Sequence, residues 1–289
     1  MADGPDPIAT EQQGRDVPDP SGGMAMRQQL GVGALGCVGL ALALTTGAAG
    51  AACPPDSVAV GPACIDKSEA SVWQTTDTKL IKKIRKGTVT LADLTAAVAT
   101  PLGLTSTDLV TAGCPVDGNG CTTVYAVSIP GVTPAHYITW FQAAAAARNA
   151  EKRLPTNAEW QAAALGTPDP GATPGAADCN TNSGAVDLTA ARANCVSNVG
   201  AFDMVGNVFE WVADWVPGAP SGCPGWGTFS DDLMCVPGGD TTSAAAIALV
   251  RGGSYLSSTG AGVFAIGTTP PGRTSGLFGL GVTGFRGAW

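Results

Sequence analysis

The chain has 289 residues and a formal net charge of −8, and only 13% of its residues are charged. An acidic chain of this kind has no general attraction for nucleic acid or anionic lipid, which argues against functions that depend on binding either of them. Its 40 glycines and 21 prolines favour a loop-rich globular fold and argue against a coiled coil or a helical bundle.

The first predicted element is an export signal. Residues 30–44 are apolar, follow Arg27 and run into small residues at 47–52, the pattern of a secretory signal peptide. A transmembrane anchor is the weaker alternative, because a helix needs roughly 20 apolar residues to cross a bilayer. We therefore assign residues 1–52 to an N-terminal extension and signal peptide, and residues 53–289 to an exported domain with no stable membrane span. Acidic residues before Met24 leave Met24 and Met26 open as translation starts besides Met1.

The mature chain opens with two predicted strands, at 58–60 and 63–67, joined by a Gly61-Pro62 turn. Apolar residues at three- and four-residue spacing then predict helical structure from about 77 to 111. The basic residues between Lys79 and Lys86 are interpreted as a solvated helix face. A strand is predicted at 122–129.

Two further helices have clear start signals. Thr133 is a suitable N-cap and Pro134 a suitable first residue for a helix running to about Asn149. Its predicted apolar face carries Tyr137, Trp140, Phe141 and Ala144. Residues 156–159, with sequence TNAE, form a capping box for a second helix that ends near Gly166.

The cysteines predict a fold that is stabilised by disulfide bonds. Cys37 is lost with the signal segment, and each of the other eight has a near neighbour across an interval containing Gly, Pro, Asn or Asp. Short loops cost the least entropy to close, so we predict the sequential pairs Cys53–Cys64, Cys114–Cys121, Cys179–Cys195 and Cys223–Cys235. Disulfides need an oxidising compartment, which agrees with a periplasmic or extracellular location. A lipid anchor on Cys53 is a weaker alternative, because Gly50 stands where a lipobox normally has Leu.

Four phrases point to a known family. They are KRLPTNAEW at 152–160, FDMVGNVFEWVADW at 202–215, VRGGSY at 250–255 and GFR at 284–286, with CIDKSEA at 64–70 as a fifth, weaker match. In this order and spacing the chain resembles the formylglycine-generating-enzyme (sulfatase-modifying factor) family, which also includes ergothioneine-pathway sulfoxide synthases. The resemblance implies one α+β domain over 53–289 with a variant C-type-lectin-like fold, low in regular secondary structure, and with 77–111 as a helical insertion.

The resemblance also implies a calcium site, formed by the side chains of Asp203 and Glu210 and the carbonyl oxygens of Gly206 and Val208. Carboxylate and carbonyl oxygens are the ligands that calcium prefers. The alternative is that Asp203 and Asn207 only bind turn amides while Glu210 pairs with an arginine. Asn180 and Thr181 are weaker candidates for a second calcium site.

Arginines and tryptophans in the matching phrases are interpreted as structural. Arg251 and Arg286 lie beside glycines in apolar segments, where a buried guanidinium usually holds carboxylates or carbonyls in place. Trp140, Trp160, Trp211 and Trp215 are predicted to lie in or near the core.

The chain departs from the catalytic members of the family at two positions. By resemblance, a pair of cysteines that binds copper should stand at 257 and 262, but the residues there are Ser257 and Gly262. Neither supplies the thiolate that copper(I) requires. His136 is the one histidine, so the three-ligand iron site of the other family chemistry cannot be built either. We expect no copper or iron cofactor.

These features favour an exported, non-catalytic protein that acts as a binding module on a lectin-like scaffold. Its partner would be a protein, a small molecule or a glycan, bound by the groove or loops near residues 257–263. Two alternatives stay open. One is a metal-dependent oxidoreductase of the same superfamily, and the other is a structural cell-envelope protein, which the Ala-, Gly- and Thr-rich composition fits.

Overall fold

The described part of the chain begins just after the predicted signal segment. A computed structural model describes residues 52–169, 178–217, 225–228, 230–235, 246–273 and 281–289. The signal segment and Cys223 lie outside these residues. Within the described ranges no helix is both long and apolar enough to span a bilayer.

The N-terminal half is built on two small antiparallel sheets. Strands β1 (Ser57–Val60) and β2 (Ala63–Asp66) form a hairpin. In the second sheet β3 (Ser71–Gln74) is central, between β4 (Thr100–Leu102) and β5 (Val124–Val127). The strands predicted at 58–60, 63–67 and 122–129 are therefore confirmed, with ends that differ by one or two residues.

The segment predicted to be helical is broken into three short helices. These are α1 (Thr78–Arg85), α2 (Leu91–Ala96) and α3 (Asp108–Thr111), and β4 interrupts them because its backbone pairs with β3. Asp77 caps α1 by accepting hydrogen bonds from the amides of Lys79 and Leu80. Leu80 and Ile84 are buried, whereas the lysines of α1 face solvent, as predicted.

The alanine-rich helix α4 (Trp140–Asn149) starts six residues later than predicted. Its N-cap is Thr139, not Thr133, in a capping box with Gln142. The amides of Ala135 and His136 donate to the carbonyls of Ala70 and Gly103, so these tertiary hydrogen bonds hold the preceding segment out of the helix. The predicted apolar face is confirmed only in part: Trp140 and Ala144 are half-buried and pack against the core, but the fully buried alanines of the helix are Ala143, Ala146 and Ala147.

Helix α5 (Asn157–Ala164) confirms the predicted capping box. The Glu159 amide donates to Thr156 Oγ1 at 3.2 Å, and the Thr156 amide donates to the Glu159 carboxylate at 2.8 Å. Trp160 of this helix is fully buried, as is Trp211. Trp215 is 37% exposed, so its predicted place near the core was wrong.

A four-stranded sheet carries the C-terminal motifs. Its order is β8 (Ile266–Thr269), β7 (Ala246–Arg251), β6 (Phe209–Pro217) and β9 (Thr283–Phe285), with β9 parallel to β6. The register sets Glu210 of β6 opposite Arg251 of β7 and Gly284 of β9. The GFR phrase is thereby brought beside the VFEW phrase.

Three of the four predicted disulfides are confirmed. They join Cys53 to Cys64, Cys114 to Cys121 and Cys179 to Cys195. Cys235 is also disulfide-bonded, but its predicted partner Cys223 lies outside the described residues. Each such bridge stabilises a fold by about 2–4 kcal/mol, chiefly by restricting the unfolded chain.

Candidate functional site

The turn that precedes β6 carries the predicted calcium ligands. Its residues Asp203, Gly206 and Asn207 all have left-handed backbone, with φ of 57°, 78° and 52°. Glycine is required at 206, because a Cβ there would meet the carbonyl oxygen of Asn180. The Asn207 amide donates to the same carbonyl at 2.8 Å. The turn therefore delivers Glu210 into the centre of the sheet in a fixed orientation.

Glu210 is paired with Arg286 in the interior. Its carboxylate accepts hydrogen bonds from Arg286 Nε at 2.6 Å, from Arg286 Nη2, and from Trp160 Nε1 at 2.7 Å. Arg286 donates further to the carbonyls of Asp66 and Phe202. Burial by itself lowers the pKa of Arg286, but the nearby carboxylates outweigh burial and raise it. The structural role predicted for Arg286 is thus explained by a carboxylate and two carbonyls.

A second buried carboxylate, Glu69, is not among the residues predicted for this site. It is fully buried and accepts hydrogen bonds from Asn207 Nδ2 at 2.5 Å and from the Val208 amide at 3.1 Å. Burial, followed by the charges of Asp203 and Glu210, raises its pKa well above the usual value. The one signal in the sequence was its place in the CIDKSEA phrase, which shows neither that it is buried nor what it binds.

Asp203 joins the same group of charges. Its Oδ2 accepts a hydrogen bond from the Ala190 amide at 2.7 Å, and burial raises its pKa to about 6. Three carboxylates, those of Glu69, Asp203 and Glu210, are therefore coupled electrostatically to the single guanidinium of Arg286.

The arrangement does not fit Glu210 as a calcium ligand. Both of its carboxylate oxygens already accept hydrogen bonds, and the cation beside them is a guanidinium. Across the described ranges, no three His, Cys, Asp or Glu side chains are grouped so that they could hold a metal ion. The contacts of Glu210 and Asp203 instead match the hydrogen-bonding alternative, and calcium binding stays a prediction.

A melting experiment separates the two interpretations. We expect Glu210→Gln to lower the Tm by the same amount in calcium and in chelator, because the lost partner is Arg286 in both solutions. A ligand that binds only the folded state adds stability by mass action. A loss of Tm confined to calcium would therefore contradict the ion-pair interpretation and establish the calcium site.

The candidates for a second calcium site lie against the same turn. Asn180 Nδ2 donates to Asn207 Oδ1 at 3.1 Å and to the Ala185 carbonyl at 2.9 Å. Thr181 is buried, and its carbonyl accepts the Ser258 amide at 2.7 Å. These contacts hold the turn against the segment that follows β7, and a second calcium site at Asn180 and Thr181 stays a prediction.

Ser257 is tied into that segment by short-range hydrogen bonds. Its Oγ accepts the Ser254 amide at 2.9 Å and lies 3.3 Å from Ser254 Oγ. The neighbouring Ser258 has φ of 53°, an uncommon conformation for a residue with a side chain. The hydroxyl of Ser257 therefore stabilises the turn that the VRGGSY phrase begins.

The space beside Gly262 is filled by Asp232, another residue that the sequence did not predict. A Cβ at position 262 would overlap the Asp232 carboxylate. Asp232 is buried, and its Oδ2 accepts the Phe264 amide at 2.7 Å, whereas Oδ1 has no hydrogen-bond partner among the described residues. Burial, with a smaller effect of Asp169, raises its pKa to about 6. The Asp231-Asp232 pair in a loop gave no signal of this contact.

Arg251 also contacts this segment. It donates to the side chains of Asn157 and Gln161 and to the Val263 carbonyl, and its guanidinium lies over the ring of Trp160. Burial lowers its pKa to about 10. Arg251 thus joins α5 to the 257–263 segment through neutral oxygens, in line with its predicted structural role.

His136 makes a local contact. It precedes α4 and is half-buried, and its Nδ1 lies 3.0 Å from the Pro134 carbonyl. The contact is local, within two residues along the chain.

Comparisons with known proteins match this arrangement to one family. The model of the sulfatase-modifying factor enzyme 1-like domain matches residues 81–282. The formylglycine-generating enzyme of Thermomonospora curvata is 31% identical over 143 residues, which are 43% of this chain and 45% of that protein. The serine/threonine-protein kinase Pkn1 of Chlamydia trachomatis is 32% identical over 122 residues, 34% of this chain and 20% of that protein. The chain thus spans less than half the length of these curated relatives.

Solved structures with a similar fold are more distant. The match to the Major Tropism Determinant P3c variant spans 82% of this chain and 52% of that protein, at 18% identity and a TM-score of 0.41. The match to CarF spans 78% of this chain and 85% of CarF, at 17% identity and a TM-score of 0.40. Because the family model covers well over half of the 289 residues, the chain belongs to the sulfatase-modifying factor family.

Proposed function

We propose that this chain is an exported, non-catalytic member of its family that acts as a binding module. The observation that carries the proposal is the pair Ser257 and Gly262, at the positions where the resemblance to catalytic members puts the copper-binding cysteines. Their surroundings support it, because Ser257 is bonded to Ser254 and the Asp232 carboxylate occupies the space that a side chain at 262 would need. No thiolate is provided for copper(I) at either position.

Export is supported by the disulfides. Three bridges, Cys53–Cys64, Cys114–Cys121 and Cys179–Cys195, lie in the described ranges, and such bridges persist in oxidising compartments. We infer a periplasmic or extracellular location from them and from the signal-peptide pattern at 30–52.

The test is a mass measurement on a sulfatase-type peptide. The mature protein, incubated with the peptide, copper and oxygen, should leave the cysteine of the peptide unchanged. A formylglycine-generating enzyme serves as the positive control under the same conditions. An aldehyde product with loss of the thiol sulfur would overturn the proposal.

A set of restored variants sharpens the test. Ser257→Cys with Gly262→Cys should fail to bind copper(I), because the new side chain at 262 overlaps Asp232. Adding Asp232→Ala removes that overlap, and we expect the triple variant to bind copper(I). If the double variant, without Asp232→Ala, bound copper(I), the Asp232 side chain would have to move away from position 262 easily and would not block it.

A further inference from the structure

An open groove lies between helix α4 and strand β6. It has a volume of about 370 Å³, and its walls include Trp140, Ala144 and Arg148 of α4 with Arg153, Leu154 and Ala213 facing them. The three α4 residues are four apart and therefore lie along one face of the helix. At 1.5 Å per residue, they line the groove over about 12 Å.

One end of the groove is aromatic and held in place. Trp140 Nε1 donates to the Val212 carbonyl at 2.8 Å, which fixes the indole ring. Trp215 packs edge-on against Trp140, with ring centroids 5.0 Å apart, and remains 37% exposed. Exposed, rigid aromatic surface of this kind favours contact with an apolar ligand.

The other end is cationic. Arg153 is already neutralised, because its guanidinium binds Glu159 through two hydrogen bonds of 2.6 Å, which lower the pKa of Glu159 to about 2. Lys152 is buried and paired with two aspartates. Arg148 is exposed and has no ion pair or side-chain hydrogen bond with any residue that the structure describes. The groove thus runs from an aromatic end to one unpaired positive charge.

Three peptide groups of the groove walls are already hydrogen-bonded within the protein. The Ala213 amide donates to the Pro155 carbonyl, and the amide and carbonyl of Arg153 both bond to Ala288. An extended peptide gains much of its affinity from main-chain hydrogen bonds, and these three peptide groups are already bonded within the protein. An apolar chain needs no such hydrogen bonds.

We propose that the groove binds an apolar chain ending in a carboxylate, such as a medium-chain fatty acid. The chain lies over Ala144, Leu154 and Ala213, and the carboxylate pairs with Arg148. The groove shares no residue with the Ser254–Gly262 segment, so a failed binding result would leave the proposal of non-catalysis untouched.

Calorimetric titration with decanoate and with decan-1-ol tests the proposal. The two probes share the chain and differ in the charged end, so the wild-type protein should bind decanoate about tenfold more tightly, the size of one charge-assisted contact. Arg148→Gln should abolish that difference and leave decanol binding unchanged. Lys79→Gln, which removes another exposed cation, from α1, is the matched control and should bind both probes as the wild type does.

A second variant tests the location. Ala144→Leu keeps a good helix former and fills the groove, so it should weaken the binding of both probes at an unchanged Tm. Equal affinity of the wild type for the two probes, or no binding of either, would overturn the proposal. Tighter binding of a short peptide with an apolar C-terminal residue than of decanoate would also overturn it, in favour of a peptide ligand.

Discussion

Replacing Arg286 by methionine should destabilise the protein by about 3–5 kcal/mol at neutral pH, a large part of the total stability of an ordinary domain. The guanidinium is fully buried and is the direct partner of Glu210. Its removal takes away the cation that interacts with the carboxylates of Glu210, Glu69 and Asp203 in the interior. Urea unfolding of wild type and variant, followed by tryptophan fluorescence, measures the loss.

The pH dependence of that loss is also defined. Arg286 lowers the pKa values of Glu69 and Asp203, so its removal raises both further above those of the unfolded chain. A carboxyl group with a raised pKa in the folded state holds a proton that the unfolded chain has already released, so stability falls as the pH rises through that window. The deficit of Arg286→Met should therefore be smaller at pH 5 than at pH 7.

Two further variants distinguish this pair from a surface contact. Arg192→Met removes an ion pair with Asp187 whose side chains are 24% and 36% exposed, and it should cost less than about 1 kcal/mol. Arg286→Met combined with Glu210→Gln should cost less than the sum of the single changes, because neither buried partner is left charged alone. Additive losses would contradict direct coupling between the two side chains.

Replacing Lys152 by methionine should have an effect of similar size, about 3–5 kcal/mol. The ammonium group is fully buried and donates to Asp56 at 2.6 Å and to Asp66 at 2.7 Å. It also lies 4.9 Å from the ring centroid of Trp289. The substitution leaves two buried carboxylates side by side, so chemical unfolding should show a large drop in stability.

Titration adds a second measurement for Lys152. Burial alone would lower its pKa, but Asp66 and Asp56 outweigh burial and raise it above 10.5. Its contribution is therefore complete below about pH 10.5 and is lost as the pH rises through the folded-state pKa. The exposed Lys83, paired with Asp93, is the matched control, and Lys83→Met should change stability much less. A similar loss for both variants would contradict the role given to burial.

Local signals in the sequence predicted several elements correctly. The capping box at 156–159 and the β1–β2 hairpin depend on residues within a few positions of one another, so the pattern contains all the information. The three confirmed disulfides close loops with sequence separations of 7 to 16, where chain entropy favours near neighbours. Four short phrases were also enough to identify the family, because their order along the chain is preserved.

The tertiary structure decided what those signals could not. Glu210 meets Arg286 across 76 residues, and Lys152 meets Asp56 across 96, so neither pairing follows from local spacing. The start of α4 was mistaken for the same reason, because Ala135 and His136 bond to distant carbonyls instead of forming a first helical turn. The contact between Asp232 and Gly262 also depends on which segments pack together. The same holds for which face of α4 stays exposed. The sequence by itself thus determined the local elements and the family, whereas the burial and partners of the charged groups were determined by long-range packing, because the free energy of a charge depends on its surroundings in space.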